Sequence, residues 1–494
     1  MAEPITRRQL FRKAARTAAG TMALGPFFHF GRAGQVRRPN FLFLLTDDQS
    51  YATLGCTGNP FMKTPHIDRL RREGVLFTNA FVAMSLCAPS RASFLTGRYP
   101  FSHGIYNNQI RWNQELPSLP RLLHDAGYTT AHIGKFHMDG DDRVQPGYDY
   151  WAAQVAQGSY LDPRKNINGK WEELKGYDTT IITDQALEFI RQVPPDKPFC
   201  VWMGYKACHA PFTPAPGHED DFADVAFKPP QSFFVDDPGK PKRVRQRRGL
   251  RPADAEAPQR AAKKRDLPAW LNPARLEQWA ERERNQYRCL MGVEDSVGRL
   301  LAVLEEKKAA EDTIIVYAGD NGFFHGEHGL HGKMEAYEEA LRVPMMLRYP
   351  RRVKAGQTCD AFVANLDLAP TILDFCGLPA HKAMQGRSWR PLVTGKPKAP
   401  WRDSFLYSMY GGASDPKTPT VKAIRTERFK LILNLNPPDI TELYDLKNDP
   451  QEMKNLAADP NYRDTVRELE QRMLRAMREL EDPAVPAVEA ALKT

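Results

Sequence analysis

Residues 39–49, PNFLFLLTDDQ, are apolar without a break from Phe41 to Leu45 and then end in two aspartates. A strand with one wet face alternates apolar and polar, whereas a strand covered on both faces does not. The run therefore reads as an interior strand of a parallel sheet flanked by helices. Three later stretches share the layout: GYTTAHIGKFH (127–137), KPFCVWMGYKACHAPF (197–212) and DTIIVYAGDNG (312–322). Each carries polar residues at its C-terminal end: Asp47 and Asp48, Lys135 and His137, His209, Asp320 and Asn321. Helical patterns lie between them. One is HIDRLRREG (66–74); another spans about 276–308, where Val293, Val297, Leu300, Leu301 and Leu304 recur at helical spacing. The alternation predicts an α/β fold with a doubly wound, mostly parallel sheet, whose site forms at the carboxyl ends of the strands.

The texture changes twice. Residues 214–270 are rich in Pro, Asp, Lys and Arg with little periodicity, and read as an irregular basic excursion from the main domain. From about 400, AIRTERFKLILNL (423–435) and TELYDL (441–446) read as antiparallel strands, followed by a charged helix over about 460–481. The chain thus divides into a leader (1–34), a large α/β domain (35–395) that carries the strand-end polar residues, and a smaller C-terminal α+β subdomain (396–494).

At 85–98, SLCAPSRASFLTGR places Cys87 where a helix begins. Pro89 has no backbone N–H and suits a first helical position, and Ser90, Arg91, Ala92 and Phe94 can follow as helix. The thiol would then sit among unpaired N–H groups that favour an anion. Asp47, Asp48, Asp320 and Asn321 offer oxygen ligands from two strand ends, a donor set suited to Ca²⁺ or Mg²⁺ rather than zinc. His325, His328 and His331 are spaced by three, but glycines at 326, 329 and 332 argue against a helix presenting them to a metal. Cys208 lacks the helix-start setting and reads as packing.

The formal charge of +9 is local. Residues 1–34 carry six Lys/Arg and one Glu, a net +5; residues 240–265 carry eleven Lys/Arg against Asp254 and Glu256, a net +9. The remainder is −5, an ordinary soluble surface. The basic stretch has no interleaved aromatics, so nucleic-acid binding is not expected, and its cations are expected to stay solvated. Seven cysteines without a CxxC pair argue against a disulfide scaffold or zinc ribbon. The leader, with Arg7-Arg8 before a short apolar stretch, resembles a twin-arginine export signal. No integral membrane segment is expected in the mature chain, which would lie in the periplasm or outside the cell.

Cys87-Ala88-Pro89-Ser90-Arg91 matches the C-x-P-x-R signature of type I sulfatases. The resemblance extends through TPHIDRLRREG, GKFH, CHAPF, DNG, GEHGLHGKMEAYEEALRVPMMLRYP and ELYDLKNDPQEMKNLA, nearly the whole mature chain. It implies the alkaline-phosphatase-like fold and a Cys87 converted to formylglycine by a dedicated modifying enzyme. It also implies a divalent cation, Ca²⁺ or Mg²⁺, held by Asp47, Asp48, Asp320, Asn321 and an oxygen of the modified Cys87. Arg91 would hold that side chain, Lys135 and Lys333 would grip sulfate oxygens, and His137 and His209 would handle protons, with Lys135, His209 and Lys333 touching substrate. The implied activity is hydrolysis of sulfate esters on a sulfated carbohydrate. A phosphonate or phosphate ester hydrolase of the same superfamily, and a non-catalytic glycan-binding relative, are the alternatives. The implied partners are the sulfated glycan, the modifying enzyme and the export machinery.

Overall fold

The computed structural model describes residues 38–138, 143–234, 238–247, 273–395, 400–411 and 418–493. The leader with Arg7 and Arg8, and residues 248–265 of the basic stretch, lie outside them. Ten strands form the main sheet: β1 (Asn40–Thr46), β2 (Val75–Phe77), β3 (Thr129–Lys135), β4 (Tyr150–Gln154), β5 (Arg164–Ile167), β6 (Lys170–Glu173), β7 (Phe199–Gly204), β8 (Thr313–Gly319), β9 (Met345–Arg348) and β10 (Gln357–Cys359). Their order is β10-β2-β9-β8-β1-β7-β3-β4-β5-β6. The five strands from β8 to β4 are mutually parallel. Antiparallel pairings at β9 and at the β5–β6 hairpin make the sheet mixed towards its edges.

Burial on both faces explains the unbroken apolar runs. Phe41, Phe43 and Leu45 of β1 point into one core with Trp202, Val316 and Phe94. Leu42 and Leu44 point into the opposite core with Val201, Met203 and Val297. The second core is closed by the helix Pro273–Glu306, which packs on the helix Asp178–Gln192. The first is closed in part by the helix Cys87–Thr96, every residue of which is buried. That helix begins at Cys87 itself, so Pro89 stands third rather than first; a missing N–H costs little there, because the first turn has no carbonyl to bond.

A smaller C-terminal domain has four antiparallel strands, Ser404–Met409, Thr420–Thr426, Phe429–Asn436 and Glu442–Asp445, in that order. The helix Arg463–Glu479 turns Leu469, Met473 and Met477 onto Leu406, Ile424, Leu431 and Leu433. No helix among the described residues is long and apolar enough to cross a membrane, and all seven cysteines are free.

The basic stretch departs from its expected solvation where it begins. Lys240 is 1% exposed; its ammonium donates to the Tyr444 hydroxyl (2.9 Å) and the Glu452 carbonyl (2.5 Å). It lies 4.1 and 4.4 Å from the ring centres of Tyr337 and Tyr444. The half-turns after it form a short helix, Lys242–Arg247, with Val244 buried and Arg243 paired to Glu335 at 2.8 Å. Aromatic faces and acids about a hundred or more residues downstream receive these cations, and a local charge count does not reveal them.

Candidate functional site

The ends of β1, β3, β7 and β8 are level. Leu45 pairs with Gly204, Thr46 with Gly319, and Gly134 with Gly204. Asp47, Lys135 and Asp320 therefore emerge side by side at one edge of the sheet. Gly204 is required there: a Cβ would fall 2.2 Å from the Lys135 carbonyl oxygen and 3.0 Å from Arg91 Nη1. The edge is sewn by main-chain bonds, with Asp47 N–H donating to the Ala207 carbonyl (2.9 Å), Cys208 N–H to that of Asp47 (2.7 Å) and Asp320 N–H to that of Thr46 (2.9 Å).

The helix carrying Cys87 is locked to this edge by Arg91, which is 1% exposed. Its Nε donates to Asp320 Oδ2 (2.8 Å) and its Nη1 to the Lys135 carbonyl (2.7 Å), while Nη2 is buried without a partner. Cys87 Sγ lies 3.5 Å from Asp47 Oδ1 and accepts from Lys333 Nζ at 2.8 Å. Lys135 also pairs with Asp47, and Lys333 with Asp48. His209 Nε2 faces Asp48 Oδ2 at 3.6 Å, its Nδ1 bonded to the Ala210 carbonyl (2.6 Å). His137, at φ +60°, is buried with Nδ1 unpartnered. All ten residues singled out from the sequence are brought to this edge.

Burial and charge set their protonation. Burial alone would raise the Asp47 carboxyl, but Lys135, His209, Arg91 and Lys333 outweigh it and hold it well below the usual range. Asp320 goes the other way: burial and the charge on Asp47 exceed the pull of Arg91 and raise it to about 6. Burial pushes the Cys87 thiol up to about 12, against Lys135 and Lys333. Burial also depresses both His137 and His209, in His137 with help from the Lys135 charge, so both rings are neutral.

Asp47, Asp48 and Asp320 present oxygens all within 4.8 Å of one another. The Asn321 amide donates to Asp48 Oδ1 (2.8 Å), leaving its own Oδ1 buried without a partner. Three carboxylates and an orphaned amide oxygen fit a hard divalent cation. Among the described residues no metal-competent cluster involves His325, His328 or His331. His325 Nδ1 instead binds Glu283 Oε2 at 2.5 Å.

Above this floor opens a cleft of about 440 Å³, lined by Asp48, His209, Lys333, Arg282, His331 and Glu335, among others. Lys333 stands between the cleft and the buried sulfur. Sequence reasoning missed Gln157, which accepts from Lys135 Nζ at 2.5 Å, and Gln286, whose side chain donates to the Asp48 carbonyl at 3.3 Å. It also missed Arg282 and Glu335 as cleft residues. The one available signal was that Gln157 follows a strand, β4, at the same sheet edge.

A thiol at a helix start, flanked by two lysines and facing clustered carboxylates at the carboxyl edge of a parallel sheet, defines a class. The sulfatase family model matches residues 39–378, and a model for the N-sulphoglucosamine sulphohydrolase C-terminal region matches residues 326–479. The chain belongs to the sulfatase family and is a sulfuric ester hydrolase. It is 34% identical to the N-acetylglucosamine-6-O-sulfatase of Bacteroides thetaiotaomicron, over 91% of this chain and 88% of that one. It is 31% identical to the human N-acetylglucosamine-6-sulfatase, over 80% and 71% of the two chains. A solved structure of a protein in complex with its substrate D-glucosamine-2-N,6-O-disulfate superposes with a TM-score of 0.82 at 33% identity, covering 90% of this chain and 99% of that one. A phosphonate monoester hydrolase of Agrobacterium radiobacter superposes at 0.71 with 20% identity, a likeness of fold alone.

Proposed function

We propose that this enzyme removes the 6-O-sulfate of a glucosamine-type sugar in a sulfated glycan or its fragments, acting in the periplasm or outside the cell. The observation that carries the substrate is likeness over almost the full length to an N-acetylglucosamine-6-O-sulfatase. Export rests on the twin-arginine-like leader.

The reacting residue is Cys87 after conversion to formylglycine, whose hydrate supplies a hydroxyl nucleophile and a second hydroxyl through which sulfate is released. Asp47, Asp48, Asp320 and Asn321 would hold Ca²⁺ or Mg²⁺ beside it, which supplies charge neutralisation at sulfur. The chain does the rest. Lys333 gives up its bond to residue 87 and, with Lys135, meets the sulfate oxygens, so negative charge building on them is stabilised by fixed ammonium groups out of bulk water. Arg91 keeps residue 87 oriented through Asp320 and the Lys135 carbonyl. Neutral His137, with a free ring nitrogen, accepts the proton from the second hydroxyl. His209, its Nδ1–H held by the Ala210 carbonyl, takes on Nε2 the proton that the attacking hydroxyl gives up and passes it to the departing alcohol.

The test is a panel of N-acetylglucosamine 3-, 4- and 6-O-sulfates, N-sulfoglucosamine, a galactosamine sulfate and a phosphonate monoester. Sulfate release from the 6-O-sulfated glucosamines, faster than from the others by a factor of ~10 or more, is expected. Preference for the galactosamine sulfate or the phosphonate would refute the assignment.

A further inference from the structure

Among the described residues that line the cleft, Arg282 is a cation without a counter-charge. Arg282 lies on the helix Pro273–Glu306, whose register against the site is fixed by two contacts, Glu283 with His325 and Gln286 with the Asp48 carbonyl. Arg282 is one turn before Gln286 and so shares its face, lining the cleft beside Lys333 and His209. Its helical neighbours have counter-charges: Arg284 pairs with Glu277 and Glu281, and Arg288 with Glu281. Lys333 has Asp48, and the cleft acid Glu335 is taken by Arg243. Among the described residues Arg282 has no ion pair or hydrogen bond, and its guanidinium rests over the Phe212 ring at 5.6 Å. His331 beside it brings no opposite charge; burial and the Arg282 charge push that ring down to about 3, with Nδ1 buried and unpartnered. A half-buried guanidinium without an acidic partner, lining the cleft, is placed to receive an anionic group that enters it.

We propose that Arg282 recognises a second anionic group on the substrate, a sulfamate, sulfate or carboxylate other than the sulfate being removed. A planar fork of N–H donors matches such oxygens two at a time. The inference rests on the sulfated-sugar reading above and adds to it that the preferred substrate is at least dianionic.

The test compares matured wild-type enzyme with R282Q and R282K on three substrates: N-acetylglucosamine-6-O-sulfate, glucosamine-2-N,6-O-disulfate and a small aryl sulfate. R282Q should lower kcat/KM on the disulfate by ~10-fold or more beyond its effect on the two monoanions, mostly through KM, with R282K between. A 6-O-sulfated glucosamine linked to a uronic acid tells the anions apart: a preference for it that R282Q abolishes identifies the carboxylate. Equal losses on all substrates, or none on any, would overturn the proposal. Wild-type enzyme that cleaves only the aryl sulfate would defeat the glucosamine reading instead. Arg282 is then read by competition against the aryl sulfate, where a ~10-fold rise in KI for the dianionic sugars in R282Q supports it and an unchanged KI overturns it.

Discussion

Arg91 shows how much of the site hangs on one side chain. Wholly buried, it joins the Cys87 helix to the ends of β3 and β8 through two directed bonds. Lysine keeps the charge but cannot reach both acceptors, so R91K should lose ~3–5 kcal/mol in urea unfolding, as when a buried pair loses its partner. Cys87 differs, because the role proposed for it is chemical. Peptide mass spectrometry of active enzyme should find residue 87 changed by the exchange of sulfur and two hydrogens for one oxygen, and unmodified cysteine throughout would refute the mechanism. Cys87→Ser should fold and either fail or stop after one turnover, a serine sulfate having no second hydroxyl through which to collapse. The three carboxylates should make stability depend on calcium. At a hundred times Kd the ion should add ~2.7 kcal/mol, read as a rise in Tm over chelator-treated protein.

Between chain segments, the loop after β7 is fastened to the long helix by His218, whose ring contacts Asp221 (2.7 Å) and Asp295 (3.0 Å). Burial alone would lower its pKa, but the two carboxylates prevail and raise it. A folded pKa above the unfolded one gives stabilisation present in full below about pH 6.5 and lost as pH rises through the folded value. H218Q should therefore be less stable than wild type by up to ~1 kcal/mol near pH 5.5, and the gap should close near pH 8.5. At this level the sequence is legible where one physical cause dominates. β1, β7 and β8 are covered on both faces, and their apolar runs say so, whereas β3, TTAHIGK, is buried almost throughout without one. Val75–Phe77, Met345–Arg348 and Gln357–Cys359 are three or four residues long, and only partners more than 250 residues away in the chain, for the first, make them strands. The β6 sequence KWEE is exposed throughout and carries no burial signal at all. The ten site residues could be named because each carries distinctive chemistry just past a strand end or a helix start. Gln157 and Arg282 look like any surface glutamine or helical arginine until the fold turns them inward.

Lys240 binds the C-terminal domain to the cleft-bearing loop. Its ammonium, the Tyr337 and Tyr444 rings and the Glu452 carbonyl come from three distant segments. K240M retains the stem and removes the donor, leaving a buried hydroxyl and carbonyl short of a partner; a loss of ~1–3 kcal/mol in urea unfolding is expected. Arg243, paired with Glu335 at the cleft wall, likewise belongs to the scaffold rather than to a free basic surface. Long-range attraction of polyanionic glycan, if the stretch provides it, falls to the cations beyond: neutralising Arg245, Arg247 and Arg248 should lower kcat/KM on a polymer at low salt. The deficit should fade as the Debye length shrinks from ~10 Å at 0.1 M to ~3 Å at 1 M.

The burial of Cys87 also dictates an order of events in the life of the chain. Its side chain and the whole helix that it opens are out of reach of any macromolecule once the domain has closed. An enzyme that must grasp the residues around this thiol can work only while they are still extended, during or soon after synthesis. Under the proposed mechanism folding is then a deadline: a molecule that collapses with its thiol intact should be inert. Adding the modifying enzyme to such native protein should yield no activity, whereas the same addition to chains held unfolded, followed by refolding, should restore it. Yield of active enzyme in a foreign host should accordingly track the race between modification and folding rather than the amount of protein made.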